Sequence, residues 1–168
     1  MTKINNNPTI TNDEKVLAVR GAIEHRATWM SLMIDEAEKA GQDWESMARK
    51  AIKRCGCFHG NGISEKLKDK SDIKEFTELF LSDLVKKLFE MDIVELTEDK
   101  LAVEFHYCPL VSAWQKQGES DEKMEILCDI AMDGDRGIGE SSDHFEFELG
   151  KTIAQGNSVC EVFFHKKK

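Results

Sequence analysis

Apolar positions in the first half of the chain recur at helical spacing. Val16, Val19, Ile23, Met30, Ile34 and Ala37 return to one face of an α-helix. Thr11, Asn12, Asp13 and Glu14 read as a capping box that opens this helix, and Gly41 as its stop. A second helix follows, with Trp44, Met47, Ala51, Ile52 and Cys55 on one stripe; Gly56, Gly60 and Gly62 predict its end. Ser71 and Asp72 predict the start of a third, facing inward through Ile73, Phe76, Phe80, Leu84 and Leu88. The period then changes from 3.6 to 2. Residues 93–96 and 101–107 read as strands joined by a hairpin turn over 97–100. In the second strand Leu101, Val103, Phe105 and Tyr107 share one face, and Glu104, His106 and Cys108 the other.

Pro109 suits the first position of a short helix through Trp114, which Gly118 ends. Ser120, Asp121 and Glu122 cap another helix that runs to about Met132. Residues 145–149 and 159–165 alternate as third and fourth strands. Helices first and strands later predict an α+β fold. An N-terminal helical layer packs on a mostly antiparallel four-stranded sheet, with two further helices. Residues 11–168 form a single domain, and residues 1–10 a loose lead-in.

Composition narrows the class. The 168 residues suffice for one core, and 40% of them are hydrophobic. No apolar run reaches the roughly 20 residues of a membrane helix, and the first residues lack a secretory apolar stretch. The expectation is a cytoplasmic protein with no membrane partner. A formal net charge of −9 argues against nucleic acid as a partner. Five cysteines cannot all pair internally, so they read as reduced thiols, metal ligands or core residues.

Candidate chemistry gathers in the second half. Cys108 stands before Pro109, at an N-cap where helix amides and the positive helix end favour a thiolate. His106 shares its strand face and is placed to act as its base. A buried, inert thiol is the competing reading of Cys108. Asp129, Asp133 and Arg136 lie at i, i+4 and i+7, with Asp135 beside them. Arg136 could clamp a substrate carboxylate in two-pronged fashion while the aspartates position it or move protons; a solvated ion-paired helix end is the alternative. His144 precedes the third strand and could serve a pocket at the strand ends. Cys128 and Cys160 fall on apolar faces, a core pattern. Cys108, Cys128, Cys160 and His106 are also an alternative metal set, zinc being the natural ion, although no tight Cys-x-x-Cys pair supports it. Cys55, Cys57 and His59 are too loosely spaced for a zinc site.

Three blocks carry a family resemblance. They are His106-Tyr107-Cys108-Pro109-Leu110-Val111-Ser112-Ala113-Trp114, then Leu127-Cys128-Asp129-Ile130-Ala131 with Gly134-Asp135-Arg136-Gly137, then Lys151-Thr152-Ile153-Ala154-Gln155-Gly156 with Cys160. Together they resemble the L-2-amino-thiazoline-4-carboxylic acid hydrolase family over about residues 90–165. The resemblance implies hydrolytic opening of a cyclic thiazoline. Water adds at the ring carbon between sulfur and nitrogen, and the C–S bond breaks to give N-carbamoyl-L-cysteine. That chemistry needs a nucleophile or activated water, an acid for the departing thiolate and a cation for the carboxylate. Residue type suits Cys108, His106 and Asp129 to the catalytic roles, and Arg136, Asp133, Asp135 and His144 to substrate binding. No cofactor is expected. The alternative function is a non-enzymatic module that binds a small ligand or metal through the same Cys/His pocket.

Overall fold

The computed structural model describes residues 2–168. Its elements in order are α1 (Glu14–Lys39), α2 (Trp44–Lys66), α3 (Ile73–Phe80), α4 (Asp83–Phe89), β1 (Met91–Leu96), β2 (Lys100–Phe105), α5 (Pro109–Gln117), α6 (Asp121–Ala131), α7 (Asp133–Glu140), β3 (Phe145–Leu149), a 3-10 turn (Ile153–Gln155) and β4 (Cys160–Lys166). All strand pairs are antiparallel, in the order β1-β2-β4-β3. This is the expected α+β architecture, with a third helix, α7, after the expected two.

Two clusters make the core. One lies under the inner face of the sheet, where Leu101, Val103, Phe145, Val162 and Phe164 meet Ile73 and Phe76 of α3. The other joins Ala27 and Ile34 of α1 to Val111 and Trp114 of α5 and to Met124, Leu127 and Ile130 of α6. The buried Trp114 indole donates to the Ala27 carbonyl at 3.1 Å, so its polar edge is satisfied.

α1 begins where Asp13 accepts from the Val16 N–H at 3.2 Å. It ends before Gly41, whose φ of +67° is the left-handed conformation a helix stop requires. Three expectations are corrected. α2 does not stop at its glycines but continues to Lys66, because Gly56 and Gly60 face α7 and permit backbone contact. Met47, Ala51 and Cys55, expected inward, lie on its exposed side. The third expected helix is two, since Ser82 caps a new start at α4 by accepting from the Val85 N–H.

The N-terminal residues carry no helix or strand, yet they are tied down. Of the expected loose lead-in 1–10, Met1 lies outside the described residues. Thr2 Oγ1 and the Lys3 N–H donate to the Asp121 carboxylate, and Ile4 is buried in the α1–α5–α6 cluster. Thr9 and Ile10 N–H groups donate to Glu90. Arg20, buried on α1, donates to the carbonyls of Ile10, Lys87 and Leu88 and to Glu90 Oε1 at 2.9 Å. It thus satisfies the orphan carbonyls at the end of α4. Among the described residues no helix is long and apolar enough to cross a membrane.

Candidate functional site

The family blocks come together where α6, α7 and the 3-10 turn meet α2. Asp129 ends the exposed face of α6, and α7 starts two residues beyond the α6 terminus with Asp133 in its first turn. Arg136 reaches back. Its guanidinium donates to the Asp129 carbonyl at 2.9 Å, to Asp129 Oδ1 at 2.6 Å and to Asp133 Oδ1 at 2.8 Å. Arg49 of α2 completes the network with Asp129 Oδ2 at 2.8 Å and Asp133 Oδ2 at 3.1 Å, and it also holds Glu45. Burial works against the charges of both arginines, but the carboxylates outweigh it and push their pKa values up. Asp129 feels the same contest. Burial raises its pKa, and Arg136 and Arg49 more than reverse that and hold it ionised.

Beside the network lies a surface hollow of about 420 Å³. It is lined by Arg49 of α2, by Glu122, Glu125 and Asp129 of α6, and by Thr152 and Gln155. Thr152 and Gln155 are fixed by a capping box: Thr152 Oγ1 accepts from the Gln155 N–H, and Gln155 Oε1 accepts from the Thr152 N–H. Glu122 and Glu125 make no ion pair among the described residues, so the hollow is lined by the Arg49–Asp129 pair and two further carboxylates. Sequence reasoning missed Arg49, Glu122, Glu125, Thr152 and Gln155 as lining residues. Thr152 and Gln155 stand in the third family block, which was their signal; Arg49 had none.

Behind Thr152 sit three thiols. Cys128 and Cys160 are buried in the same cluster that Cys108 packs against. Burial pushes the Cys128 pKa well up, and the neighbouring Cys108 and Cys160 push it further. Burial, then Cys108, takes Cys160 up to about 12, against the Ile153 N–H that reaches its sulfur at 3.1 Å. Cys108 is the N-cap of α5, with Pro109 in the first turn, as expected. Its pKa nevertheless moves up, not down, because burial outweighs the Val111 and Leu110 amides and the Arg26 charge. All three thiols are therefore neutral near pH 7. All five cysteines are unpaired.

The other sequence candidates lie elsewhere. The His106 imidazole is exposed and meets Asp92 of β1 at 3.1 Å, on the solvent side of the sheet instead of at Cys108. His144 is exposed at the far start of β3, five residues from Leu149 at the hollow, or roughly 17 Å along the strand. Asp135 sits in the first turn of α7, where burial pushes its pKa up to about 6 against the pull of Arg26 and Arg136. Among the described residues no three His, Cys, Asp or Glu side chains are arranged to hold a metal ion.

Helices on an antiparallel sheet, with an ion-paired polar hollow over a thiol cluster, define a small α+β protein with one candidate ligand site. The chain belongs to the L-2-amino-thiazoline-4-carboxylic acid hydrolase family, whose model matches residues 20–164 and so includes most of the helical half. A search of curated proteins finds no match. Among solved structures the fold is similar to that of a trafficking protein particle complex subunit 3 from Naegleria fowleri covalently bound to palmitic acid. That match has a TM-score of 0.58 and 15% identity, covering 86% of this chain and 95% of the other. At that identity the likeness is one of fold alone.

Proposed function

We propose that this protein is a hydrolase that opens a small zwitterionic ring compound, of the cyclic-amidine type its family is named for, in the hollow between α2, α6 and the 3-10 turn. The observation that carries this is the lining of the hollow, which holds Arg49, paired with Glu45, Asp129 and Asp133, together with Glu122 and Glu125, which make no ion pair among the described residues. A ligand with a carboxylate and a cationic amidine matches both. Arg49 takes the carboxylate by exchanging its exposed partner Glu45 for it, and the glutamates of α6 take the amidinium and the proton of an attacking water. Water adds to the ring carbon between sulfur and nitrogen, the C–S bond breaks, and the sulfur leaves with a proton as a free thiol. Thiols held neutral, two of them buried and Cys108 partly so, favour water over a cysteine thiolate as the attacking group. Arg136 then holds Asp129 and Asp133 in place for Arg49 and does not itself touch substrate. Five unpaired cysteines fit a reducing, cytoplasmic setting.

The test is a panel of 2-aminothiazoline-4-carboxylate and related cyclic amidines, followed by release of free thiol. Wild-type protein releases thiol from at least one member. Arg49→Gln raises KM about 10-fold or more, as loss of a charge-assisted contact of about 1.5–3 kcal/mol requires, and Cys108→Ala keeps kcat. Silence across the panel would sink the reading.

A second reading rests on the partly buried Cys108 thiol and on the fold shared with a chain that carries covalent palmitate. In it the protein is a ligand-binding module acylated on a cysteine. An intact-mass increment of one fatty acyl group, removed by hydroxylamine, would favour it.

A further inference from the structure

The first of the three family blocks contributes nothing to the hollow at Arg49. Two of its side chains, Tyr107 and Ser112, open instead on a second hollow, of about 610 Å³, between the N-terminal segment, α1 and α5. That volume suits a small molecule. Tyr107 is only 3% exposed, yet it lines this space.

Glu24 of α1 fixes the direction of the hydrogen bonds here. Ser112 Oγ donates to Glu24 Oε1 at 3.0 Å. A hydroxyl has one proton to give, so in the bond between Tyr107 and Ser112 the phenol is the donor. Burial pushes the Tyr107 pKa up and so keeps that proton in place. The phenol oxygen is left as an acceptor. Gln115 is turned the same way. Its Nε2 donates to the Ile4 carbonyl at 3.1 Å, and among the described residues nothing donates to its Oε1. Arg20 also lines the hollow, but its guanidinium is held by Glu90 and by the carbonyls of Ile10, Lys87 and Leu88. The hollow therefore presents acceptors: a carboxylate, a phenol oxygen and an amide oxygen.

One donor meets them, and it is an ammonium. Lys116 Nζ lies 2.6 Å from Glu24 Oε2. The lysine side chain is 66% exposed, and among the described residues this is its only bond. It marks where a positive nitrogen sits, on a tether that releases at little cost. Leu17 and Pro8 supply an apolar wall. Gly21, with nothing within 4 Å of an added Cβ, leaves the space wide.

We propose that this hollow binds a primary amine with an apolar body, whose ammonium displaces Lys116 Nζ from Glu24 and donates also to the Tyr107 and Gln115 oxygens. An ammonium has three N–H groups for those three acceptors. A carboxylate or phosphate is the wrong class, because the cations here are already committed and Glu24 repels an anion.

The test is an NMR shift titration of the full chain with n-butylamine at pH 7, with n-butanol and butyrate as controls. Butylamine saturates, and the shifted amides fall on residues 6–8, 17–24 and 112–116 around the hollow. Both controls bind about 10-fold more weakly or worse. Glu24→Gln keeps an acceptor for Ser112 and weakens butylamine about 10-fold or more. Lys116→Met keeps the stem, loses the competing charge and tightens butylamine about 2- to 5-fold. Lys116 is exposed, so this variant folds whatever Glu24→Gln does. Diffuse attraction of cations to a chain of net −9 gives unsaturable shifts over the whole surface instead. That result, equal binding of butanol, an unchanged affinity in Glu24→Gln, or no tightening in Lys116→Met would each overturn the proposal.

Discussion

At the scale of single residues, two carboxylates titrate in opposite directions for opposite reasons. Asp135 has its pKa raised to about 6 by burial. Its contribution to stability is full below its unfolded pKa near 4 and is lost as pH rises through 6. Asp135→Asn removes that penalty, so urea unfolding at pH 7 should show a gain of up to about 3 kcal/mol, most of it gone at pH 4. Equal stability of mutant and wild type at pH 7 would show that Asp135 carries no such strain. Glu90 is the reverse. Burial pushes its pKa up, but the N–H groups of Ile10 and Thr9, the Thr9 hydroxyl and Arg20 hold it at about 2. Its contribution is present above about pH 4.5 and lost as pH falls toward 2. Glu90→Gln should cost on the order of 3 kcal/mol at pH 7 and almost nothing near pH 2. Neither environment is legible in sequence. Asp135 was visible as a candidate, but its burial is a tertiary fact. At Cys108 the sequence showed the helix start, which lowers a thiol pKa, and hid the packing, which raises it more.

At the scale of elements, α2 and α7 hold the network that carries Arg49 and Arg136, and they do so through glycines. A Cβ on Gly56 would overlap the Gly134 carbonyl oxygen, and one on Gly137 would overlap the Lys53 carbonyl oxygen. Both obstacles are backbone, so the helices must part. Gly56→Ala and Gly137→Ala should each lower stability by about 3 kcal/mol or more. Gly62, with nothing within 4 Å of its added Cβ, is the control: Gly62→Ala should raise stability by about 0.5–1 kcal/mol. Chemical denaturation of the three variants separates close approach from helix propensity, which predicts a gain at all three. These glycines also explain why the end of α2 is hard to read from sequence. A glycine in a helical pattern reads as a stop, but here the period-4 spacing of Gly56 and Gly60 marks a contact face. The strands and α5, whose turns and caps are local, were legible to within two or three residues at their ends.

At the scale of the whole molecule, the two halves of the chain are joined by contacts of long sequence separation, and these were the least legible. Fold class followed from the order of periodicities, helical and then alternating. The site was half visible: Asp129 and the 152–155 block could be read, whereas Arg49 arrives from a helix 80 residues earlier in sequence, where local pattern carries no signal. The N-terminal segment is the strongest such case. Asn6, in the stretch expected to be loose, is buried, and its side chain closes on the backbone of Cys108 twice. Its amide donates to the Cys108 carbonyl at 2.9 Å, and its carbonyl accepts from the Cys108 N–H at 2.8 Å. Gln115 of α5 in turn donates to the Ile4 carbonyl. The segment is thus a strap across the start of α5 and over the thiol cluster. Asn6→Ala breaks both bonds and leaves the Cys108 N–H unpaired, while its carbonyl keeps the Ser112 N–H, which should cost about 1–3 kcal/mol. It should also speed alkylation of Cys108, read by peptide mass spectrometry under native conditions. Cys55, exposed on α2, should label at its wild-type rate and report that the helical half is intact. If Cys108 labels no faster in Asn6→Ala, the strap does not control access to the thiols, and its bonds serve only to cap α5.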